Sequence, residues 1–305
     1  MRSKYAHVIG KIAQKDRRVV FLTGDLGFNA FEQLRNNLKE RFINAGVAEH
    51  NMITAASGLA YSGFKPWIYS IAPFVTIKVL EEIRNDVCEV LSNVKIVGLG
   101  GGYDYGIAGP THHALEDIGV LLTIPHMRVY APAFSDDVET VVKKMHRINS
   151  PAYLRLTKAE NHNYSIPPYA ACRHMASGNK ITMVVLGSIA HKVMCAYNAL
   201  RKNYQQAIDL WIISELPLSL SKKLTTSLRK TRKICVVEEH VKNGGLGQQL
   251  SLLLVENNIP VDHFVHLYAR GHLSKKYGDR NFYLKETGLD EENISKTIKK
   301  LYGQS

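Results

Sequence analysis

Short apolar runs alternate with longer amphipathic stretches along the chain, and this alternation constrains the fold more than any other feature. Residues 19–22, 42–45, 67–70, 94–99, 128–132 and 152–156 read as strands, several of them apolar at every position. Continuous apolar runs mark strands covered on both faces, as in parallel sheets. Between them, 4–14, 51–62, 73–91, 114–122 and 136–146 carry helical periodicity or helix-start signals. The pattern resumes with strands at 181–186, 207–213, 234–237 and 261–267 and helices at 191–203, 219–229, 246–257 and 290–302. Residues 161–179, rich in Asn, Pro and His, have no period and are expected to link the halves. The expected fold class is α/β, with two parallel-sheet domains at 1–160 and 180–305.

Composition removes several function classes. The chain has 305 residues, 45% apolar and 22% charged, an ordinary balance for two domains with real cores. No apolar run is long enough to cross a membrane, and the first residues lack an apolar signal core. Four scattered cysteines show no metal-type spacing and fit a reduced, cytoplasmic setting. The net charge of +12 is spread over the chain without an aromatic-interleaved stripe. It therefore reads as a solvated basic surface, or as attraction to anionic small molecules, rather than a nucleic-acid groove. Thirteen histidines include no zinc-type set.

Three stretches carry candidate chemistry. In residues 42–49 a short strand and Gly46 lead to Glu49, followed by a helix of small residues, Ala55, Ala56, Ser57, Gly58 and Ala60. Open α/β sheets bind ligands at the carboxyl ends of their strands. A glutamate in a first helical turn also simply suits the helix dipole, and the local sequence leaves both readings open. The glycine-rich stretch 100–109 allows close backbone approach. Gly244-Gly245-Leu246-Gly247, at a helix start, suits either an anion or tight helix packing.

Spaced motifs add a resemblance. Gly24-Asp25-Leu26 is followed by Gly46-Val47-Ala48-Glu49-His50 and Tyr69-Ser70-Ile71-Ala72-Pro73-Phe74. Then come Gly106-Ile107-Ala108-Gly109-Pro110-Thr111-His112-His113, Ile124-Pro125-His126-Met127-Arg128-Val129-Tyr130-Ala131-Pro132 and Val237-Glu238-Glu239-His240 with Gly244-Gly245-Leu246-Gly247. In this order, over residues 2–303, they resemble the C-terminal half of transketolase, a pyrimidine-binding domain plus a small C-terminal domain. The Gly-Asp-Gly signature of the family's pyrophosphate-binding domain is missing. The resemblance therefore implies one subunit of a split enzyme, paired with a separate pyrophosphate-binding chain. Thiamine diphosphate would lie between the two, and Mg2+ or Ca2+ would be bound by the partner. Two of each subunit would form an α2β2 heterotetramer.

The resemblance also assigns residues. Glu49 would hold a proton against the pyrimidine ring, which calls for a carboxyl group in a mostly apolar pocket. Phe74 would pack on the pyrimidine, with Ile77 and Leu80 on the same helical face, and Asp25, Leu26 and Val47 would lie beside the cofactor. His112 would contact a substrate oxygen. Arg2 and Lys158 fall where transketolases place arginines on a substrate phosphate, and a lysine there lacks the bidentate fork. Two departures bear on specificity: Ala108 replaces an acid that reads substrate hydroxyls, and Gly100 replaces a histidine. The expected activity is transfer of a two-carbon ketol or acyl unit to an aldehyde, with altered donor specificity. The alternatives are a decarboxylating relative that uses 2-oxo acids, similar to deoxyxylulose-phosphate synthase or the beta chain of 2-oxo-acid dehydrogenases, and a non-catalytic scaffold subunit.

Overall fold

The computed structural model describes residues 1–26, 30–158 and 164–303. The strands are β1 (Val19–Thr23), β2 (Phe42–Asn44), β3 (Lys65–Ile71), β4 (Lys95–Leu99), β5 (Arg128–Tyr130), β6 (Ala152–Leu156), β7 (Cys172–Ala176), β8 (Ile181–Leu186), β9 (Ile208–Ile213), β10 (Glu215–Leu216), β11 (Lys233–Glu238) and β12 (His263–Tyr268). They form two sheets, ordered β10-β5-β6-β4-β3-β1-β2 and β12-β11-β8-β9-β7. Every pair is parallel except β10 with β5 and β7 with β9. The fold is thus α/β with two mostly parallel sheets.

In the first sheet, β1 lies between β2 and β3, so successive connections leave β1 in opposite directions. Such a reversal opens a crevice beyond the carboxyl ends of the strands. The loops after β1 to β4 all emerge there. Two of them are tied together: the Asp25 N–H donates to the Gly46 carbonyl at 3.0 Å, and Asn44 Nδ2 donates to Asp25 Oδ1 at 3.3 Å.

Both faces of this sheet are covered. Tyr5, Ile9, Phe21, Trp67, Tyr69 and Val142 share one core. Met52, Ile53 and Ala56 of the helix Glu49–Tyr61 belong to another, which continues into the second sheet through Val184, Trp211 and Ile213. The opposite side of that helix, including Thr54, Ala55 and Tyr61, is exposed.

Two expectations are corrected. The long helix expected over 73–91 is broken into 3-10 turns at Ala72–Val75 and Ile77–Val79, a turn at Leu80–Glu82 and a wide π turn at Ile83–Cys88. Thr76, at φ −131° and ψ −89°, lies outside the helical region, and its hydroxyl donates to the Ala72 carbonyl at 2.7 Å. The buried residues Val75, Val79, Ile83 and Val87 recur every fourth position. An α-helix of 3.6 residues per turn would rotate such a row away from the core, and a wider turn brings it back. The stretch without periodicity contains β7, an edge strand with only Arg173 fully buried; one neighbour leaves no apolar alternation to read. Residues 159–163, where that stretch begins, lie outside the described residues.

Candidate active site

Glu49 is the first residue of its helix and is 4% exposed. The turn that delivers it is fixed by Gly46, at φ +67°, whose N–H donates to Asn44 Oδ1 at 2.9 Å. An L-residue at that φ pays a steric cost that glycine avoids. The surroundings of Glu49 are not the apolar pocket expected from the sequence. Lys78 Nζ donates to Glu49 Oε2 at 2.7 Å, and the ammonium lies 5.7 Å from the centre of the Phe74 ring. The breaks between residues 72 and 82 bring Lys78 to this side, a placement that helical periodicity alone does not give. Val47 and Ile77 are exposed, as is Ile107, while Phe74, Leu80 and Leu26 are half-buried. Asp25 is exposed beside Asn44. Together they form a partly apolar rim around one carboxylate.

From Phe74 the wall continues through rings. Phe74 and His112 are 5.5 Å apart between centroids, and His112 and Tyr105 are 5.7 Å apart. His112 Nδ1 and Thr111 Oγ1 share a 2.9 Å hydrogen bond, which orients the imidazole. Tyr105 in turn lines a cavity of about 470 Å³ together with Arg2, Gly100, Asp104 and Lys158. The structure therefore gathers Arg2, Gly100 and Lys158 at one place and connects it through Tyr105 to His112. Ala108 is exposed on the turn Gly106–Ala108 and does not line that cavity.

The glycine run after β4 follows from close approach. A Cβ on Gly100 would meet the Tyr105 ring at 2.1 Å, one on Gly101 would meet Arg155 Nε at 2.2 Å, and one on Gly102 would meet Glu239 Cδ at 2.4 Å. Arg155 is held by Asp117 at 3.1 Å and donates to the Ala114 and Glu239 carbonyls at 2.6 and 3.0 Å. Glu239 accepts from the Tyr103 N–H at 2.9 Å and from Arg280 Nε and Nη2 at 3.1 and 2.7 Å. Arg280 keeps the buried Glu239 carboxyl below its ordinary range against the opposing effect of burial. His113 Nδ1 and His272 Nε2 lie 2.8 Å apart in stacked rings, and burial pushes His113 down to about 4. The second half thus braces the loop that carries His112.

Sequence reasoning does not single out Lys78, Asp104, Tyr105 or Glu239. For Asp104 one signal exists, an acid inside a glycine-rich loop. The glycines at 244–247 serve packing: Glu238 accepts from the Leu246 and Gly247 N–H groups at 2.7 and 2.9 Å and from His266 Nε2 at 2.7 Å. The chain's own carboxylate thus takes the helix N-terminus. Among the described residues, no three His, Cys, Asp or Glu side chains converge as a metal site. No described helix is long and apolar enough to cross a membrane.

Residues 1–162 match the family model of the transketolase pyrimidine-binding domain, and residues 170–294 match that of the transketolase C-terminal domain. One of the two kinds of chain of the apulose-4-phosphate transketolase of Phocaeicola vulgatus is 29% identical over 303 residues, covering 97% of this chain and 95% of that protein. A 1-deoxy-D-xylulose-5-phosphate synthase of Clostridium perfringens is 26% identical over 304 residues, covering 97% of this chain and 48% of that one. Among solved structures, a split-gene transketolase described as an inactive beta4 tetramer superposes with a TM-score of 0.85 at 26% identity, over 98% of this chain and 97% of that chain.

Proposed function

The chain belongs to the transketolase family, and on that premise we propose that it is the pyrimidine-side subunit of a two-chain thiamine-diphosphate transferase that moves a two-carbon ketol or acyl unit to an aldehyde acceptor. The supporting observation is the unbroken wall from buried Glu49 through Lys78, Phe74, His112 and Tyr105 to the cavity at Arg2 and Lys158. Thiamine diphosphate, once bound, supplies the nucleophilic carbon for cleaving the bond beside a carbonyl. This chain's residues would do the rest. Glu49 holds a proton at the pyrimidine nitrogen, and Phe74, Ile77, Leu80, Val47, Leu26 and Asp25 border the ring. His112 donates to a substrate oxygen, and Arg2 and Lys158 hold an anionic end.

The domain division 1–160, 161–179 and 180–305, the cytoplasmic setting, the metal on the partner and the α2β2 assembly are part of the same reading. They rest on the family likeness and the sequence. The relatives' names bring sugar phosphates forward as substrates, and the likeness to a 1-deoxy-D-xylulose-5-phosphate synthase keeps a decarboxylating reaction as the second reading.

The test combines the chain with a pyrophosphate-domain subunit, thiamine diphosphate and Mg2+, and offers pyruvate, hydroxypyruvate and ketose phosphates as donors. Turnover with ketose phosphates supports ketol transfer, and turnover with pyruvate alone supports the second reading. Glu49→Ala should abolish either; unchanged turnover in that variant would leave only a scaffold role.

A further inference from the structure

Resting on that reading, we propose that Asp104 is a specificity-determining residue, its carboxylate accepting a hydrogen bond from a hydroxyl of a polyhydroxylated substrate whose anionic end lies at Arg2 and Lys158. Asp104 is 3% exposed and lines the 470 Å³ cavity. Its Oδ2 accepts from the Lys158 N–H at 2.6 Å, while its Oδ1 is buried and has no hydrogen-bond partner among the described residues. A buried carboxylate oxygen without a donor is costly, and folded proteins keep few such groups. A substrate hydroxyl in the cavity provides the missing donor.

The electrostatics agree. Burial raises the Asp104 carboxyl to about 6, with Arg280 and Lys158 opposing the rise, so at neutral pH the group is mostly an ionised acceptor. Arg280 spends its Nε and Nη2 donors on Glu239. Asp104 also acts on the neighbouring Tyr105 phenol, raising it while Arg2 lowers it. Acid, phenol and guanidinium therefore share one space.

This placement revises the specificity expected from Ala108 and Gly100. Ala108 carries no acid and faces solvent, and the volume a side chain at residue 100 would take is filled by the Tyr105 ring. Asp104 and Tyr105 return a carboxylate and a hydroxyl to a wall that those two positions leave apolar.

The test is isothermal titration of the full chain with glycerol 3-phosphate, propyl phosphate and inorganic phosphate. Propyl phosphate keeps the charge and the carbon chain and lacks the free hydroxyls. The wild type should prefer glycerol 3-phosphate about tenfold or more, the worth of one hydrogen bond to a charged group. Asp104→Leu should bring the two within about twofold and leave propyl phosphate affinity unchanged. Asp104→Asn, of the same shape, should keep a reduced preference, and it decides the matter if the leucine variant does not fold. Equal affinities in the wild type, a full preference surviving either variant, or no binding of any of the three probes would overturn the proposal. Failure of the catalytic reading shows elsewhere, as Glu49-independent turnover with the hydroxyl preference intact.

Discussion

Gly102→Ala tests whether Glu239 sets the shape of the glycine-rich loop. Gly102 has φ +70°, and an added Cβ would stand 2.4 Å from Glu239 Cδ and 2.6 Å from its Oε1. Placing an L-residue in the left-handed region costs about 1–2 kcal/mol. To restore ordinary contact at 3.4 Å, the carboxyl group must retreat by about 1 Å. That retreat gives up its bond from the Tyr103 N–H, and a hydrogen bond to a buried charge is worth about 1.5–3 kcal/mol. The expected loss of unfolding free energy is therefore about 2.5–5 kcal/mol. Gly63→Ala is the control: φ is +88° and no described atom lies within 4 Å of the added Cβ, so only the backbone cost of about 1–2 kcal/mol applies. Equilibrium urea unfolding reads both variants, with Trp67 in the first sheet and Trp211 in the second as reporters. A Gly102→Ala loss within about 1 kcal/mol of the control would refute the account, because the Glu239 contact would then carry no weight.

Three further outcomes are expected. His113 has a folded value of about 4, below its ordinary 6.5, so the unfolded chain takes up its proton first; this contribution to stability is complete above about pH 6.5 and falls toward pH 4. His113→Phe should flatten that decline, read by urea unfolding at pH 7 and 4.5, and an unaltered slope would remove His113 as its source. Asp104 works in the opposite sense: its folded value of about 6 lies above 3.8, so its charge costs stability as pH rises between the two. Asp104→Asn should then stabilise the chain by about 2–3 kcal/mol at pH 7.5 and by little at pH 4, and a destabilised variant at pH 7.5 would contradict the burial argument. Lys78→Met should change stability by no more than about 1 kcal/mol, since the lysine is 42% exposed, while reconstituted turnover changes because Glu49 loses its donor; equal turnover would show Lys78 to be a bystander.

The strands legible in the sequence are the ones with two neighbours. β1, β8 and β9 are buried at every position, and that burial is written as unbroken apolar runs. β10 is two residues long and pairs with β5, some 85 positions earlier; no local pattern specifies such a pairing. The same division runs through the site. Glu49 is legible because a strand end, a glycine and a helix start are adjacent in sequence. Lys78 and Asp104 are not, because their roles depend on how a broken helix turns and on which buried oxygen goes without a donor. Both are settled by tertiary contact.

β10 has a consequence for how the chain is made. It leaves the second half of the sequence to complete the first sheet, held there by Lys144 on Glu215 at 2.6 Å and by the Tyr169 hydroxyl at 2.7 Å. The last strand the first half supplies itself ends at Leu156, and its outermost partner ends at Leu216. At about 5–20 residues per second of synthesis, that separation keeps the edge of β5 unpaired for about 3–12 s on the ribosome. An open edge is a template for foreign strands. The nascent first half is therefore the stage at which this protein most needs a chaperone, and a gene truncated before residue 215 would make that stage permanent.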